Sequence, residues 1–251
     1  RAEHLGDPDF YPVPMAQLIA KPYAQQRFAD FDPARASVSA KIGPGKLAAD
    51  KIPYESPQTT HLSVMDAAGN AVAYTTTLNL SFGSKIAVDG AGFLLNNEMD
   101  DFSSRENTPN SYGLIGRTAN SIEPGKRMLS SMTPTIVLDA SGKVVLVTGS
   151  PGGSTIITTV LQIVVNVLDH GMDIADAVAL PRFHHQWMPD RIVYEPWGIS
   201  PDTMKLLQAM GHTFVPLPWG RGIGDANSVM RSGNELLGMS DPRNRGGAAG
   251  Q

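Results

Sequence analysis

The sequence predicts an α+β fold in which helices cover antiparallel sheet. Three observations point there: two stretches that read as β-hairpins, one long apolar stretch that reads as a buried helix, and shorter helix and strand patterns after it. Residues 60–66 (THLSVMD) alternate, Ala67-Ala68-Gly69-Asn70 supplies turn chemistry, and residues 71–79 (AVAYTTTLN) are strand formers. The second hairpin runs through residues 132–138, a turn at Asp139-Ala140-Ser141-Gly142, and residues 143–148. Four strands from two hairpins are expected to form an antiparallel sheet.

Ahead of the hairpins, residues 1–42 are polar and broken by Pro. Short helices are expected at 15–20 and 23–31, with Pro14 and Pro22 acceptable in a first turn. Residues 43–58 (GPGKLAADKIPYESPQ) hold three Pro and two Gly and read as an exposed connector. After the second hairpin come Gly149-Ser150-Pro151-Gly152-Gly153-Ser154 and then residues 155–169 (TIITTVLQIVVNVLD), apolar nearly all round. Fifteen residues is long for a strand, so a buried helix is expected, capped by Ser154 and ended by His170-Gly171. Asp173 caps a shorter helix reaching Leu180, which Pro181 stops, and Ser200 with Pro201 opens another that ends before Gly211. Strand patterns at 213–217, 227–231 and 235–239 finish the chain, and no internal repeat is present.

Composition removes several function classes. In 251 residues, 41% are hydrophobic and 18% charged, enough apolar chain for one large domain or two small ones. A net charge of −4 argues against nucleic acid, whose partners usually carry a basic stripe. No run of 18 apolar residues offers a membrane span. The absence of cysteine removes disulfides, thiolate metal sites and cysteine nucleophiles together, and fits either redox compartment. The chain starts Arg1-Ala2-Glu3-His4 and reads as a piece of something longer.

Four constellations could carry chemistry. Gln58-Thr59-Thr60-His61 stands where the Pro-rich connector meets the first strand. A Thr hydroxyl needs a base beside it, and the Thr's own α-amine, freed by cleavage before Thr59, is one such base. Its pKa of about 7.7–8.0 leaves a large fraction neutral at physiological pH, and the β-branch limits χ1. Alone, a Thr at a strand start is most often structural. In the glycine turn, Gly152-Gly153 precede a helix N-terminus, where N–H groups face outward and favour negative charge. A phosphate loop would want a Lys after the glycines, and Ser154-Thr155 stand there instead, so an oxyanion hole or a plain packing turn remains. Asn96-Asn97-Glu98-Met99-Asp100-Asp101 could hold an ammonium group or form a solvated acidic turn. A metal is disfavoured because His184-His185 lack the His-Glu-x-x-His arrangement. Ser130-Ser131 could hydrogen-bond a carboxylate or serve as turn residues. No Gly-x-Ser-x-Gly elbow supports a serine triad.

Taken together, residues 59–103, Ser130-Ser131-Met132-Thr133-Pro134-Thr135, residues 148–154 (TGSPGGS) and residues 181–187 (PRFHHQW) closely resemble the bacterial γ-glutamyltranspeptidase family of N-terminal nucleophile hydrolases. The resemblance covers residues 59 to about 243, and the chain divides under it into a large-subunit tail and processing linker (1–58) and a small catalytic subunit (59–251). It implies an αββα sandwich of which this chain supplies part, and a self-cleaving precursor whose large subunit is the partner. It further implies γ-glutamyl transfer from glutathione-like donors to water or amino acids, no cofactor or metal, and a periplasmic or secreted address.

Carried over position by position, the resemblance implies that Thr59 is the nucleophile and new N-terminus and Thr77 its hydroxyl partner during processing. Asn79, Glu98 and Asp101 would hold the donor's α-amino group, Ser130 and Ser131 its α-carboxylate, and Gly152 and Gly153 the oxyanion. Residues 105–116 would form a lid with Tyr112 at the gate. The family's carboxylate-binding Arg lies far upstream of this chain. A cephalosporin or glutaryl acylase is the alternative, as is an unprocessed homologue that only binds. Glu98 and Asp101 speak against the acylase, because a glutaryl group offers them no cation.

Overall fold

The computed structural model describes residues 1–43, 59–103, 110, 114 and 116–250. Two short helices open the chain: α1 (Met15–Leu18) and α2 (Lys21–Phe28), the latter with Pro22 in its first turn. Both stop short of the sequence expectation. Ala20 is extended (ψ 135°) to start α2, and Pro33 biases the chain ahead of it away from helix.

The first hairpin pairs β1 (Thr60–Met65) with β2 (Ala71–Thr76), Thr60 opposite Thr76. Its turn closes where Asp66 Oδ1 and Oδ2 accept from the Asn70 backbone (2.8 Å) and side chain (2.7 Å), with Gly69 at φ +91°. The second hairpin pairs β3 (Thr135–Leu138) with β4 (Val144–Thr148). The two hairpins do not share a sheet as expected. The free edge of β4 is taken by β8 (Ser228–Ser232), which pairs in turn with β9 (Glu235–Met239), giving the antiparallel order β3-β4-β8-β9. The first hairpin lies across this sheet instead, with Ser63 Oγ donating to the Asn227 carbonyl (2.8 Å) and the His61 ring pressed on Gly149. A Cβ at Gly149 would stand 2.2 Å from that ring, so only glycine permits this approach. A third sheet, β5 (Phe183–His184), β6 (Ile192–Tyr194) and β7 (Phe214–Pro216), was legible in sequence only at β7.

Helix α3 (Ile156–Leu168) and helix α4 (Ile174–Ala179) cover the other face of the four-stranded sheet. Leu146 of β4, Ile163 of α3, Ile174 and Val178 of α4, and Ala226 form the buried centre. Helix α3 buries Ile156, Thr159, Val160 and Ile163, an i, i+3, i+4, i+7 stripe, while Ile157, Leu161 and Leu168 are exposed. It is one-sided rather than buried all round. Nor does Ser154 cap it: residues 153–155 form a tight 3-10 turn, and the Ser154 hydroxyl donates to Gln186 Oε1 (2.8 Å). Asp173 and Ser200 do cap α4 and α5 (Pro201–Ala209), accepting from the N–H of Asp176 and Thr203.

The result is α+β: the first hairpin faces the four-stranded sheet, helices cover that sheet's other side as the ββα part of an αββα sandwich, and the small third sheet adds to this frame. The outer face of the first hairpin is inverted in polarity. His61 and Ser63 turn inward, while Leu62, Val64, Val72 and Tyr74 are each about half exposed.

The amino-terminal segment is stitched to the rest. The Ser39 N–H and hydroxyl both donate to Asp190 (2.8 Å each), Trp187 Nε1 donates to the Ser39 and Ile42 carbonyls (2.7 and 2.8 Å), and Asp7 pairs with Arg127 (2.7 Å). The Pro-Arg-Phe-His-His-Gln-Trp run is thus largely a fastening. Its Arg182 pairs with the fully buried Asp241 (2.8 Å), beside the Arg243–Glu195 pair (2.7 Å).

Candidate active site

Thr59 immediately precedes β1 and is buried, 7% exposed. Its Oγ1 donates to Thr77 Oγ1 at 2.9 Å, and Thr77, one residue past β2, also accepts from the Asn79 N–H at 2.9 Å. The hairpin register causes this meeting: with Thr60 opposite Thr76, their outer neighbours Thr59 and Thr77 face each other at the open end of the ladder. Asn79 adopts φ +72°, a left-handed conformation that Asn tolerates better than most residues. Its Nδ2 donates to the Asn97 carbonyl (3.2 Å), and Asn97 Oδ1 accepts from the Leu80 N–H (3.0 Å). The Thr77–Asn79 turn and the acidic turn are thereby interlocked.

His61 is not a base for Thr59. Its ring nitrogens meet the Thr75 and Ser63 hydroxyls (2.7 and 3.0 Å), and burial lowers its pKa to about 4, so it is neutral at physiological pH.

Glu98 and Asp101 share a 3-10 turn, residues 98–101. Burial raises both carboxyls. Asp101 reaches about 6, with the neighbouring Glu98 and Asp100 charges adding to the rise and the Arg1 guanidinium opposing it. The Asp101 carbonyl accepts from Asn120 Nδ2 (2.7 Å). Ser130 is exposed, its Oγ accepting from the Met132 N–H (3.0 Å), and Ser131 Oγ accepts from Arg1 (2.7 Å). A small cleft lined by Arg1, Asp101, Asn120 and Leu129 joins these two stretches. Arg1 and Asn120 have no signal in the sequence that would have singled them out; each is an ordinary polar residue in a loop.

Gly152 lies at φ +134° and Gly153 at φ +55°. The Gly152 carbonyl is held by Thr155, through its N–H (3.0 Å) and hydroxyl (2.8 Å), and a Cβ on Gly152 would strike that hydroxyl at 2.5 Å. Among the described residues neither the Gly152 nor the Gly153 N–H has an acceptor. The turn leaves β4 beside the start of β1, through the His61–Gly149 contact, and Gly152 also walls a cavity of about 690 Å³ with Thr155, His184 and Ile223.

The structure therefore brings Thr59, Thr77 and Asn79 together directly, and links Asn79 to the acidic turn through Asn97. Asp101 and the Ser130-Ser131 pair are joined through Asn120 and Arg1. The glycine turn is tied to the start of β1 by the contact of Gly149 with the His61 ring. Tyr112, Gln58 and most of the expected lid lie outside the described residues. Among the described residues no three metal-ligating side chains converge, and no helix is long and apolar enough to cross a membrane.

Residues 1–251 match the family model for γ-glutamyltranspeptidase. The glutathione hydrolase proenzyme of Escherichia coli (strain K12) is 54% identical over 244 residues, 97% of this chain but 40% of its own length. This chain thus spans well under half of that relative. A solved threonine-to-alanine mutant of Helicobacter pylori γ-glutamyltranspeptidase matches at a TM-score of 0.70 and 52% identity, over 74% of this chain and 100% of that one. The cephalosporin acylase of Bacillus halodurans matches at a TM-score of 0.79 over 98% of this chain and 41% of that one; at 22% identity it is alike in fold alone. With a full-length family match and a solved chain 52% identical on the same fold, this chain belongs to the γ-glutamyltranspeptidase family.

Proposed function

We propose that the protein to which this chain belongs transfers γ-glutamyl groups from glutathione and related donors to water or amino acids, with Thr59 as nucleophile after self-cleavage between Gln58 and Thr59. The observation that carries the reading is the hydroxyl chain from Thr59 through Thr77 to the Asn79 N–H, at the mouth of the hairpin. With Oγ1 donating to Thr77, the lone pairs of Thr59 are free to attack a carbonyl carbon.

In the self-cleavage step the Thr59 hydroxyl attacks the Gln58 carbonyl carbon. The Gln58–Thr59 C–N bond breaks as an ester forms, and water then hydrolyses the ester. The freed α-amine is the base of the second reaction. It takes the proton from Oγ1 as that oxygen attacks the donor's γ-carbonyl carbon, and the Gly152 and Gly153 N–H groups receive the oxyanion. Collapse breaks the donor's amide C–N bond, the leaving amine takes the proton, and a γ-glutamyl ester remains on Thr59. Water or an amino-acid amine attacks that ester, gives its proton to the α-amine, and restores the hydroxyl. Asn79, Glu98 and Asp101 hold the donor's ammonium, while Ser130 and Ser131, beside the Arg1 guanidinium, hold its carboxylate. Tyr112 gates the site. The mechanism requires no cofactor.

The large subunit of the same precursor is the partner in this reading, and the apolar outer face of the first hairpin gives it something to cover. The solved Helicobacter chain matches 74% of this one, close to the share that residues 59–251 make up, which supports the division at Thr59. A periplasmic or secreted address follows from the resemblance, and cell fractionation tests it.

Intact-mass measurement of the whole precursor is the direct test. Wild type should give two pieces, the second starting at Thr59, together with release from a γ-glutamyl anilide. A precursor with Thr59→Ala that still cuts at this bond would overturn the assignment. In the acylase reading the same nucleophile acts on a donor without an α-amine, and a wild type that prefers a glutaryl to a γ-glutamyl anilide would establish it.

A further inference from the structure

The cleft beside Asp101 contains a residue for which neither the sequence pattern nor the mechanism has a use. Asn120 is 2% exposed and sits in a 3-10 turn, residues 118–120. Its side-chain amide is engaged at both ends. Oδ1 accepts from the Leu129 N–H at 2.9 Å, and Nδ2 donates to the Asp101 carbonyl at 2.7 Å. Its backbone carbonyl accepts from the Ser103 N–H at 2.9 Å, so the chain on both sides of Phe102 is tied to this one residue.

These two side-chain bonds join positions far apart in sequence but adjacent in role. Asp101 carries one proposed donor-binding carboxylate, and Leu129 directly precedes the Ser130-Ser131 pair. One planar amide, whose oxygen and nitrogen are held at fixed separation, thus sets the distance between the backbones of the two subsites. In an α-amino acid the ammonium and carboxylate branch from a single carbon, so a site for both must hold its two halves at one spacing. Burial makes the bridge specific. Removing either half of the amide leaves a buried N–H or C=O unpaired, which favours movement of one stretch against the other.

We infer that Asn120 is a positioning residue that sets the spacing between the ammonium and carboxylate subsites, and so selects donors carrying both groups on one carbon. This rests on the γ-glutamyl reading of Asp101, Ser130 and Ser131. Asn120 touches no reacting atom. Its effect is exerted on how two binding groups cooperate rather than on either alone.

The test uses the whole precursor and three anilides: γ-glutamyl, with both groups; glutaryl, with the carboxylate alone; and 4-aminobutanoyl, with the ammonium alone. Asn120→Asp keeps the acceptor for Leu129 and loses the donor to Asp101. Asn120→Ser is too short to span both. In each variant KM for the γ-glutamyl anilide should rise about tenfold with kcat within about threefold, while the two single-group anilides change by less than about twofold. Self-cleavage should proceed as in wild type, since it needs neither subsite, and it reports that the fold is intact. Equal losses on all three anilides, an unchanged KM in a processed variant, or failure of both variants to process would each overturn the inference, because the amide would then serve the fold alone. A wild type that shows no preference for the γ-glutamyl anilide would instead sink the functional reading itself, and that is measured before any variant.

Discussion

At one end of the site Thr59, Thr77 and Asn79 hang from the ends of two paired strands. At the other, Glu98, Asp101, Ser130 and Ser131 stand on loops whose shape depends on a few side-chain amides. The first group is placed by a ladder: the Thr60–Thr76 register alone brings Thr59 and Thr77 to 2.9 Å. The second has no ladder to rely on. Asn97 ties the acidic turn to the Asn79 turn, and Asn120 ties it to the serine pair. Under the proposed function the contrast has a purpose: a nucleophile that must meet a carbonyl along one trajectory is served by a strand end. A pocket that must fit a small zwitterion is served by loops, provided each buried polar atom has its partner.

If the strand-end group carries the chemistry, the largest effect comes from its nucleophile. Thr59→Ala should leave the precursor uncut and without measurable turnover, read by intact mass and by anilide release. Serine at the same position is the informative companion. It keeps the hydroxyl and loses the β-branch, so it should cut and turn over, more slowly on both counts.

The glycine turn comes next. At φ +134°, with a Cβ aimed at the Thr155 hydroxyl, Gly152 cannot become alanine without turning its peptide groups away. Gly152→Ala should lose about 10²–10³ in kcat with little change in KM, the size expected for one misdirected oxyanion donor. Gly153 sits in the ordinary left-handed region, where alanine costs roughly 1–2 kcal/mol of strain and the N–H survives. Gly153→Ala should therefore retain most of kcat. Equal losses at the two positions would mean that the turn is a packing device.

How much of this was legible in the sequence follows the same divide. Thr59 and the hairpin could be read because the Pro-rich connector, the alternation and the turn at Gly69 are local signals. Asp173 and Ser200 could be read as caps for the same reason. The glycine pair was visible because it stands before a long apolar helix. The partition of strands between sheets was not visible, since β8 competes for the edge of β4 from eighty residues downstream. Strands of two and three residues, β5 and β6, are too short for any period to show. Ser154 looked like a helix cap because a 3-10 turn and an α-helix start with the same residues; only Gln186, brought by the fold, decides its partner. Asn120 was invisible because nothing local distinguishes a bridging amide from any other loop Asn.

At the donor end the effects are smaller and selective. Asp101→Asn keeps the shape and removes the charge. Since Asp101 is only partly buried, the low end of the range of about 2–5 kcal/mol for breaking such a pair applies, or about thirtyfold in kcat/KM on a γ-glutamyl anilide. A glutaryl anilide has no ammonium and should be unaffected or slightly faster. Glu98→Gln should lose less than Asp101→Asn, because Asn79 and Asp101 remain. Equal losses on both anilides would erase the contrast between an end that reacts and an end that recognises.

The mildest test varies pH alone. Burial lifts the Asp101 carboxyl to about 6, and only its ionised form attracts an ammonium. The ratio of kcat/KM for γ-glutamyl over glutaryl anilide should therefore rise with pH through about 6 and level off above it. Taking the ratio cancels the titration of the Thr59 amine, which both donors need. In Asp101→Asn the ratio should be flat over the same window. The same group leaves a mark on stability, with the sign fixed by linkage. A carboxyl whose folded pKa is raised binds its proton more tightly folded than unfolded. Its stabilising contribution is thus complete below the ordinary Asp value of 3.8 and is lost as pH climbs through about 6. Free of donor, wild type should lose Tm relative to Asp101→Asn between pH 4 and pH 7, and a saturating γ-glutamyl donor analogue should close that gap by giving the carboxylate its cation. A Tm difference that does not change with pH would mean that Asp101 is solvated in the folded protein, and that the recognising end is a surface turn.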